Sequence, residues 1–135
     1  MAGRRPFVIA PLERLAANPL IRPSQIAFTR ATGTFNPGVS VDHASGRVVF
    51  LVRVFEEETR RSSIAIALSS DGERIDEIQD RAAIGRVEPY EEWGVEDARV
   101  TWLEDEGRYA ITYTGYSPLG PRVCLITTDD LLSPE

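Results

Sequence analysis

The chain has 135 residues, enough for one domain with a substantial core. Hydrophobic residues make up 42% and charged residues 27%, the balance of a soluble globular protein rather than a disordered or fibrous one. The net charge of -6 argues against a nucleic-acid backbone as partner, and no run approaches the roughly 20 apolar residues of a membrane-spanning helix.

Along the chain, Pro11 to Asn18 fits a short helical turn. Asn18-Pro19-Leu20-Ile21-Arg22-Pro23-Ser24 is then extended or turned, because residues before proline avoid the helical region. Strand-like runs rich in Val, Ile, Thr, Tyr and Phe follow at Gln25–Arg30, Gly38–Asp42, Arg47–Phe55 and Ser62–Ser69. Three more lie at Arg99–Glu104, Arg108–Thr114 and Pro121–Thr128, with a further candidate at Arg81–Glu88. The intervening Asp42-His43-Ala44-Ser45-Gly46, Ser70-Asp71-Gly72 and Glu104-Asp105-Glu106-Gly107 carry hairpin-turn chemistry. The expected fold is all-β, in consecutive antiparallel hairpins.

These strands fall into a repeat of about 60 residues. Phe35-Asn36-Pro37-Gly38-Val39-Ser40 matches Glu96-Asp97-Ala98-Arg99-Val100-Thr101, and Gly46-Arg47 matches Gly107-Arg108. Farther on, Ser63–Ser69 matches Arg122–Thr128. A repeat of this size made of short strands points to propeller blades, whose matching positions line one axis. Asn36 and Asp97 are therefore expected side by side. Residues 1–34 form an N-terminal segment, 35–95 the first repeat and 96–135 the second. Two blades cannot close a ring, so the chain reads as the N-terminal part of a longer propeller domain, or as a subunit whose exposed blade edges meet other copies in a homo-oligomer.

Gly94-Val95-Glu96-Asp97-Ala98-Arg99 is the sharpest local signal. In a regular strand, alternation points Glu96 and Asp97 to opposite faces and puts Asp97 and Arg99 on the same one. An Asp in such a place suits a carboxyl group held by hydrogen bonds, although an arbitrary Glu-Asp-X-Arg is more often a solvated turn. Its alignment with Asn36 strengthens the functional reading. Arg53 interrupts the apolar run Val48–Phe55, and it either turns its head to solvent or crosses the site to bind a hydroxylated ligand. Trp93 and Tyr90 serve equally as core or as sugar-stacking surfaces. Glu56-Glu57-Glu58 with Arg60-Arg61 reads as a solvated hairpin loop.

His43, the one histidine, lies in a turn where exposure is expected, and a histidine-rich metal site is excluded. Cys124, the one cysteine, leaves no intrachain disulfide and reads as a small apolar strand residue. The N-terminus lacks the apolar stretch of a signal peptide, so a cytoplasmic protein is expected.

The motifs together resemble glycoside hydrolase family 130, the β-mannoside phosphorylases and β-mannosidases. The resemblance rests on Asn18-Pro19-Leu20-Ile21-Arg22-Pro23, Phe35-Asn36-Pro37-Gly38, Val52-Arg53-Val54, Ala67-Leu68-Ser69-Ser70-Asp71-Gly72, Gly94-Val95-Glu96-Asp97-Ala98-Arg99 and Tyr109-Ala110-Ile111-Thr112-Tyr113-Thr114. Their order and spacing agree over nearly the whole chain. The resemblance implies about two blades of a five-bladed β-propeller with the active site at its axis. It implies Asp97 as general acid, delivering its proton through a mannose hydroxyl. It also implies Asn36 and Arg53 as sugar-binding residues, and Arg99 as a residue orienting the acid or the sugar. Inorganic phosphate would attack the anomeric carbon with inversion, giving mannose 1-phosphate, and no metal or organic cofactor is implied.

Two departures stand out. Ala98 replaces the family's usual proline, which relaxes the backbone restriction on Asp97. The family's phosphate-binding Arg, Lys and His residues have no counterpart in this chain. The motifs therefore fit a hydrolase of the same family as well as a phosphorylase. The isolated chain is expected to have little or no activity, or to act only as a truncated carbohydrate-binding fragment. Another family of five-bladed glycosidases fits the Asn36 and Asp97 motifs less well.

Overall fold

The computed structural model of the protein describes residues 13–134. Seven strands follow in order: β1 (Gly33–Val41), β2 (Val48–Glu56), β3 (Arg61–Ser69), β4 (Glu77–Ile84), β5 (Gly94–Leu103), β6 (Arg108–Ser117) and β7 (Gly120–Thr128). They form two antiparallel meanders, β1-β2-β3-β4 and β5-β6-β7. A single parallel bridge, Ser62 to Gly94, joins them. That bridge needs a glycine: a Cβ on Gly94 would stand 2.8 Å from the Ser62 backbone nitrogen, and its φ is 152°.

The hairpins match between the repeats. Asp42 and Gly46 close the β1–β2 turn through Gly46 N–H to the Asp42 carbonyl at 2.7 Å. Gly107 N–H closes the β5–β6 turn onto the Leu103 carbonyl at 2.9 Å. The two meanders stack face to face around one core. Val49, Leu51, Ile64, Ile66 and Leu68 come from the first, and Val95, Ala98, Tyr109, Ile111 and Tyr113 from the second. Each large apolar side chain buried there stabilises the fold by about 1.5–3 kcal/mol. The first meander has the four strands of a propeller blade, and the second supplies three strands of the next. The sheet does not close on itself.

Two expectations are corrected. The run Gln25–Arg30 is not a strand: Pro23–Gln25 forms a 3₁₀ turn, and the rest is irregular. Pro23 cannot donate to a ladder, and the Gln25 side chain accepts from the Arg22 N–H at 2.7 Å, closing the turn. Ile26 and Phe28 then cover the outer face of the first blade, packing with Val54 and Ala65. The fourth strand lies earlier than Arg81–Glu88. Ile78, Ala82 and Ile84 pair with the apolar residues of β3, and the strand ends before Gly85. In the turn expected over Pro11–Asn18, Asn18 N–H reaches the Leu15 carbonyl at 3.1 Å, while Pro11 and Leu12 lie outside the described residues.

Both faces of β2 are covered, since Leu20, Ile21 and Ile78 pack on Phe50 and Val52. The outer face of the second blade is different. Val123 and Leu125 of β7 are 87% and 61% exposed.

Candidate active site

The site is built from a backbone irregularity that occurs twice. In β1 the ladder to β2 shifts between Phe35 and Gly38, and in β5 the ladder to β6 shifts between Glu96 and Arg99. Each is a bulge, with two residues facing one on the partner strand. Asn36 and Asp97 start the bulges with positive φ, 42° and 53°. Asn and Asp tolerate this left-handed region better than other side chains bearing a Cβ. The aligned residues of the two repeats are thus also aligned in conformation.

The bulges bring β1 against β5. A Cβ on Gly38 would lie 2.5 Å from the Ala98 carbonyl oxygen, so glycine permits the approach. The Arg99 guanidinium spans the junction, donating from Nη1 to the carbonyls of Asn36 (3.0 Å) and Ala98 (2.8 Å). Arg99 therefore ties the two bulged backbones together and makes no hydrogen bond to Asp97 among the described residues.

Asn36 Nδ2 donates to Asp97 Oδ1 at 3.1 Å. Arg53, on β2, comes from the other side, and Nη1 reaches the same oxygen at 3.4 Å. Its Nη2 donates to Glu96 Oε1 at 2.6 Å and its Nε to Ser62 Oγ at 3.1 Å. The Ser62 hydroxyl donates in turn toward Glu96 Oε1 at 3.5 Å. The guanidinium also sits 5.8 Å from the Phe35 ring centroid, a cation–π distance. Arg53 and Glu96 are 21% and 22% exposed at the side chain, Asp97 38%.

The expected separation of Glu96 and Asp97 does not hold. The left-handed residue at Asp97 breaks strand alternation, and both carboxylates meet one guanidinium. Of the two readings of Arg53, the solvated head is set aside, since three of its nitrogens are engaged. Glu96 and Ser62 are members of the site that sequence reasoning passed over. Glu96 was legible as a motif neighbour, whereas Ser62 arrives only through its bridge to Gly94.

Asp97 Oδ1 takes both hydrogen bonds, and among the described residues Oδ2 has no protein partner. One oxygen is held by two side chains and the other by none of the described residues. Just ahead of β5, the buried Glu91 accepts from Tyr113 Oη (2.6 Å) and from the backbone N–H groups of Val87 (2.9 Å) and Glu88 (3.0 Å). Burial, and then this bond to Glu91, pushes the Tyr113 hydroxyl well above its ordinary value. These bonds fix the linker that delivers the Asp97 motif.

The remaining candidates lie elsewhere. His43 is exposed as expected, but its ring stacks on Trp102 at 4.1 Å. Trp93 packs edge-on against Tyr116 at 5.2 Å. Glu56 accepts from Thr29 and Thr59, each at 2.7 Å. Among the described residues no group of three or more metal-ligating side chains is assembled, and no helix is long and apolar enough to cross a membrane.

The family model for glycoside hydrolase family 130, described as beta-1,4-mannooligosaccharide phosphorylase, matches residues 4–134. The chain belongs to this family. A beta-1,2-mannobiose phosphorylase from Thermoanaerobacter sp. (strain X514) is 30% identical over 133 residues, covering 89% of this chain and 43% of that protein. The solved beta-1,2-mannobiose phosphorylase from Listeria innocua, in complex with beta-1,2-mannobiose, superposes with a TM-score of 0.76 at 22% identity, over 90% of this chain and 49% of that one. A third match is a solved structure, "The GH130 family of mannoside phosphorylases contains glycoside hydrolases that target beta-1,2 mannosidic linkages in Candida mannan". Its TM-score is 0.77 at 25% identity, over 89% of this chain and 38% of that one. The family 130 chain therefore has the fold of two blades of a five-bladed propeller, and it spans less than half the length of these relatives.

Proposed function

We propose that the family 130 protein cleaves β-mannosides by inverting phosphorolysis, with Asp97 as proton donor. The observation that carries this reading is the asymmetry of Asp97. Oδ1 is fixed by Asn36 and Arg53, while Oδ2 has no protein partner among the described residues. A proton on the free oxygen passes to the leaving glycosidic oxygen by way of a mannose hydroxyl as the C1–O bond breaks. A phosphate oxygen forms the new bond to C1 from the opposite face, leaving mannose 1-phosphate and the shortened glycoside. Asn36 and Arg53 grip the mannosyl unit, and Arg99 orients the acid by holding the bulge that carries it.

Phosphate is favoured over water as nucleophile for one reason. An inverting hydrolase needs a second, free carboxylate to activate water. The second carboxylate at this site, Glu96, is committed to Arg53 and Ser62. Phosphate is already anionic and needs cations to hold it, which would come from the part of the relatives that this chain does not span. Hydrolysis stands as the second reading, because the family holds glycoside hydrolases as well. No cofactor takes part in either reaction, and the 135-residue chain alone has little or no activity.

The test is a panel of β-mannosides assayed with and without inorganic phosphate, comparing this chain with the polypeptide extended along its gene. Phosphate-dependent mannose 1-phosphate from the extended polypeptide supports the proposal. Free mannose without phosphate supports the hydrolase, and no reaction with any β-mannoside refutes both.

A further inference from the structure

We infer that Glu96 is a positioning residue that acts through Arg53, keeping that guanidinium from becoming a full ion-pair partner of Asp97. The inference rests on the reading of Asp97 as the proton donor.

Arg53 is held at three points. Nε meets Ser62 at 3.1 Å, Nη2 meets Glu96 at 2.6 Å, and Nη1 meets Asp97 at 3.4 Å. The contact to Glu96 is shorter than that to Asp97 by 0.8 Å, so the guanidinium is drawn toward Glu96. Coulomb attraction rises as distance falls, and the closer anion takes the larger share of the charge. Asp97 is left with a single long contact to one edge of the fork. An arginine facing one carboxylate ordinarily forms a close bidentate pair, which stabilises the ionised form. Such a pair at Asp97 would occupy its second oxygen and oppose the proton it has to carry. Glu96 and Ser62 prevent it by pinning the guanidinium's other edge.

The bulge makes the arrangement possible. Only because Asp97 is left-handed do consecutive carboxylates reach the same arginine. Nothing else among the described residues forms an ion pair with Arg53.

The experiment uses Glu96→Gln, Glu96→Asp, Asp97→Asn and Arg53→Ala in the extended gene product, with kcat and KM measured on β-mannobiose and phosphate. Gln keeps the size and an oxygen acceptor but removes the charge, so a merely structural role would tolerate it. The expected result is a fall in kcat of about 10–100-fold for Glu96→Gln, the range of a lost charged hydrogen bond, with KM changed by less than about threefold. Glu96→Asp recovers part of kcat. In the Arg53→Ala background, Glu96→Gln lowers kcat by no more than about twofold further, because its effect travels through Arg53. Wild-type kcat in Glu96→Gln, or losses that multiply in the double variant, would overturn the inference while leaving Asp97 as the acid. An active Asp97→Asn would instead overturn the reading beneath it.

Discussion

Gly38→Ala tests whether the site depends on two bulged strands meeting backbone to backbone. The added methyl carbon would sit 2.5 Å from the Ala98 carbonyl oxygen, about 0.9 Å inside the 3.4 Å at which ordinary contact begins. Neither side yields easily. Ala98 is fully buried in the core, and its carbonyl is already held by Arg99 at 2.8 Å. The strands must separate, which stretches the Arg99 bridge to the Asn36 carbonyl. Overpacking of this kind costs about 1–3 kcal/mol. With a urea m-value of about 2 kcal/mol/M, the unfolding midpoint should fall by about 0.5–1.5 M. The assay is urea denaturation followed by tryptophan fluorescence, with Gly107→Ala as comparison. Gly107 has φ of 65° but open space around its Cβ, so its penalty is one of backbone conformation, about 1 kcal/mol. The decisive addition is activity in the extended polypeptide, which Gly38→Ala should lower and Gly107→Ala should not. Wild-type stability and activity in Gly38→Ala would refute the claim that the bulges are in contact.

Tyr109→Phe removes a hydroxyl that donates to the Val41 carbonyl (3.2 Å) and accepts from the His43 N–H (2.7 Å), both on the first blade. The expected loss is about 1–3 kcal/mol in thermal or urea unfolding, because two partners are left unmatched. Ser45→Ala should weaken the β1–β2 turn in a pH-dependent way. Burial pushes the Asp42 carboxyl up, but the Ser45 hydroxyl and amide and the Ala44 amide outweigh it and hold the group below the ordinary aspartate value. Since the folded state holds this proton less tightly than the unfolded one, the stabilisation is present above about pH 4 and is lost as pH falls through the lower folded value. Ser45→Ala should therefore unfold more easily than wild type at pH 7 by about 0.5–1.5 kcal/mol, with a gap that closes on acidification toward pH 2. An equal gap at both ends would contradict this account.

Much of the fold was legible because the two repeats repeat their turns as well as their strands. Gly46 and Gly107 mark equivalent hairpins, and β-branched runs mark β2, β3, β6 and β7. The alignment of Asn36 with Asp97 foretold their contact, since equivalent strands of adjacent blades lie side by side. Strand periodicity could not reveal the bulges. It assumes regular backbone, and one left-handed residue is enough to bring Glu96 round to the arginine that Asp97 meets. Arg99 was expected to orient the acid or the sugar; the means was not legible, because its bonds go to the carbonyls of Asn36 and Ala98, acceptors that every residue carries and no motif displays. The N-terminal run Gln25–Arg30 misled because Ile26 and Phe28 serve as cover for the first blade, a tertiary use that β-propensity does not distinguish from pairing.

The central claim is that Asp97 donates the proton. The most direct measurement is the NMR-followed product of β-mannobiose and inorganic phosphate, made with wild-type extended polypeptide and with Asp97→Asn. The account predicts that wild type forms mannose 1-phosphate with inverted anomeric configuration. It predicts that Asp97→Asn, isosteric and still able to face Asn36, forms it about 1,000-fold more slowly, the middle of the roughly 100–10,000-fold range that general-acid catalysis supplies. Product formed by Asp97→Asn at a rate near wild type would contradict it.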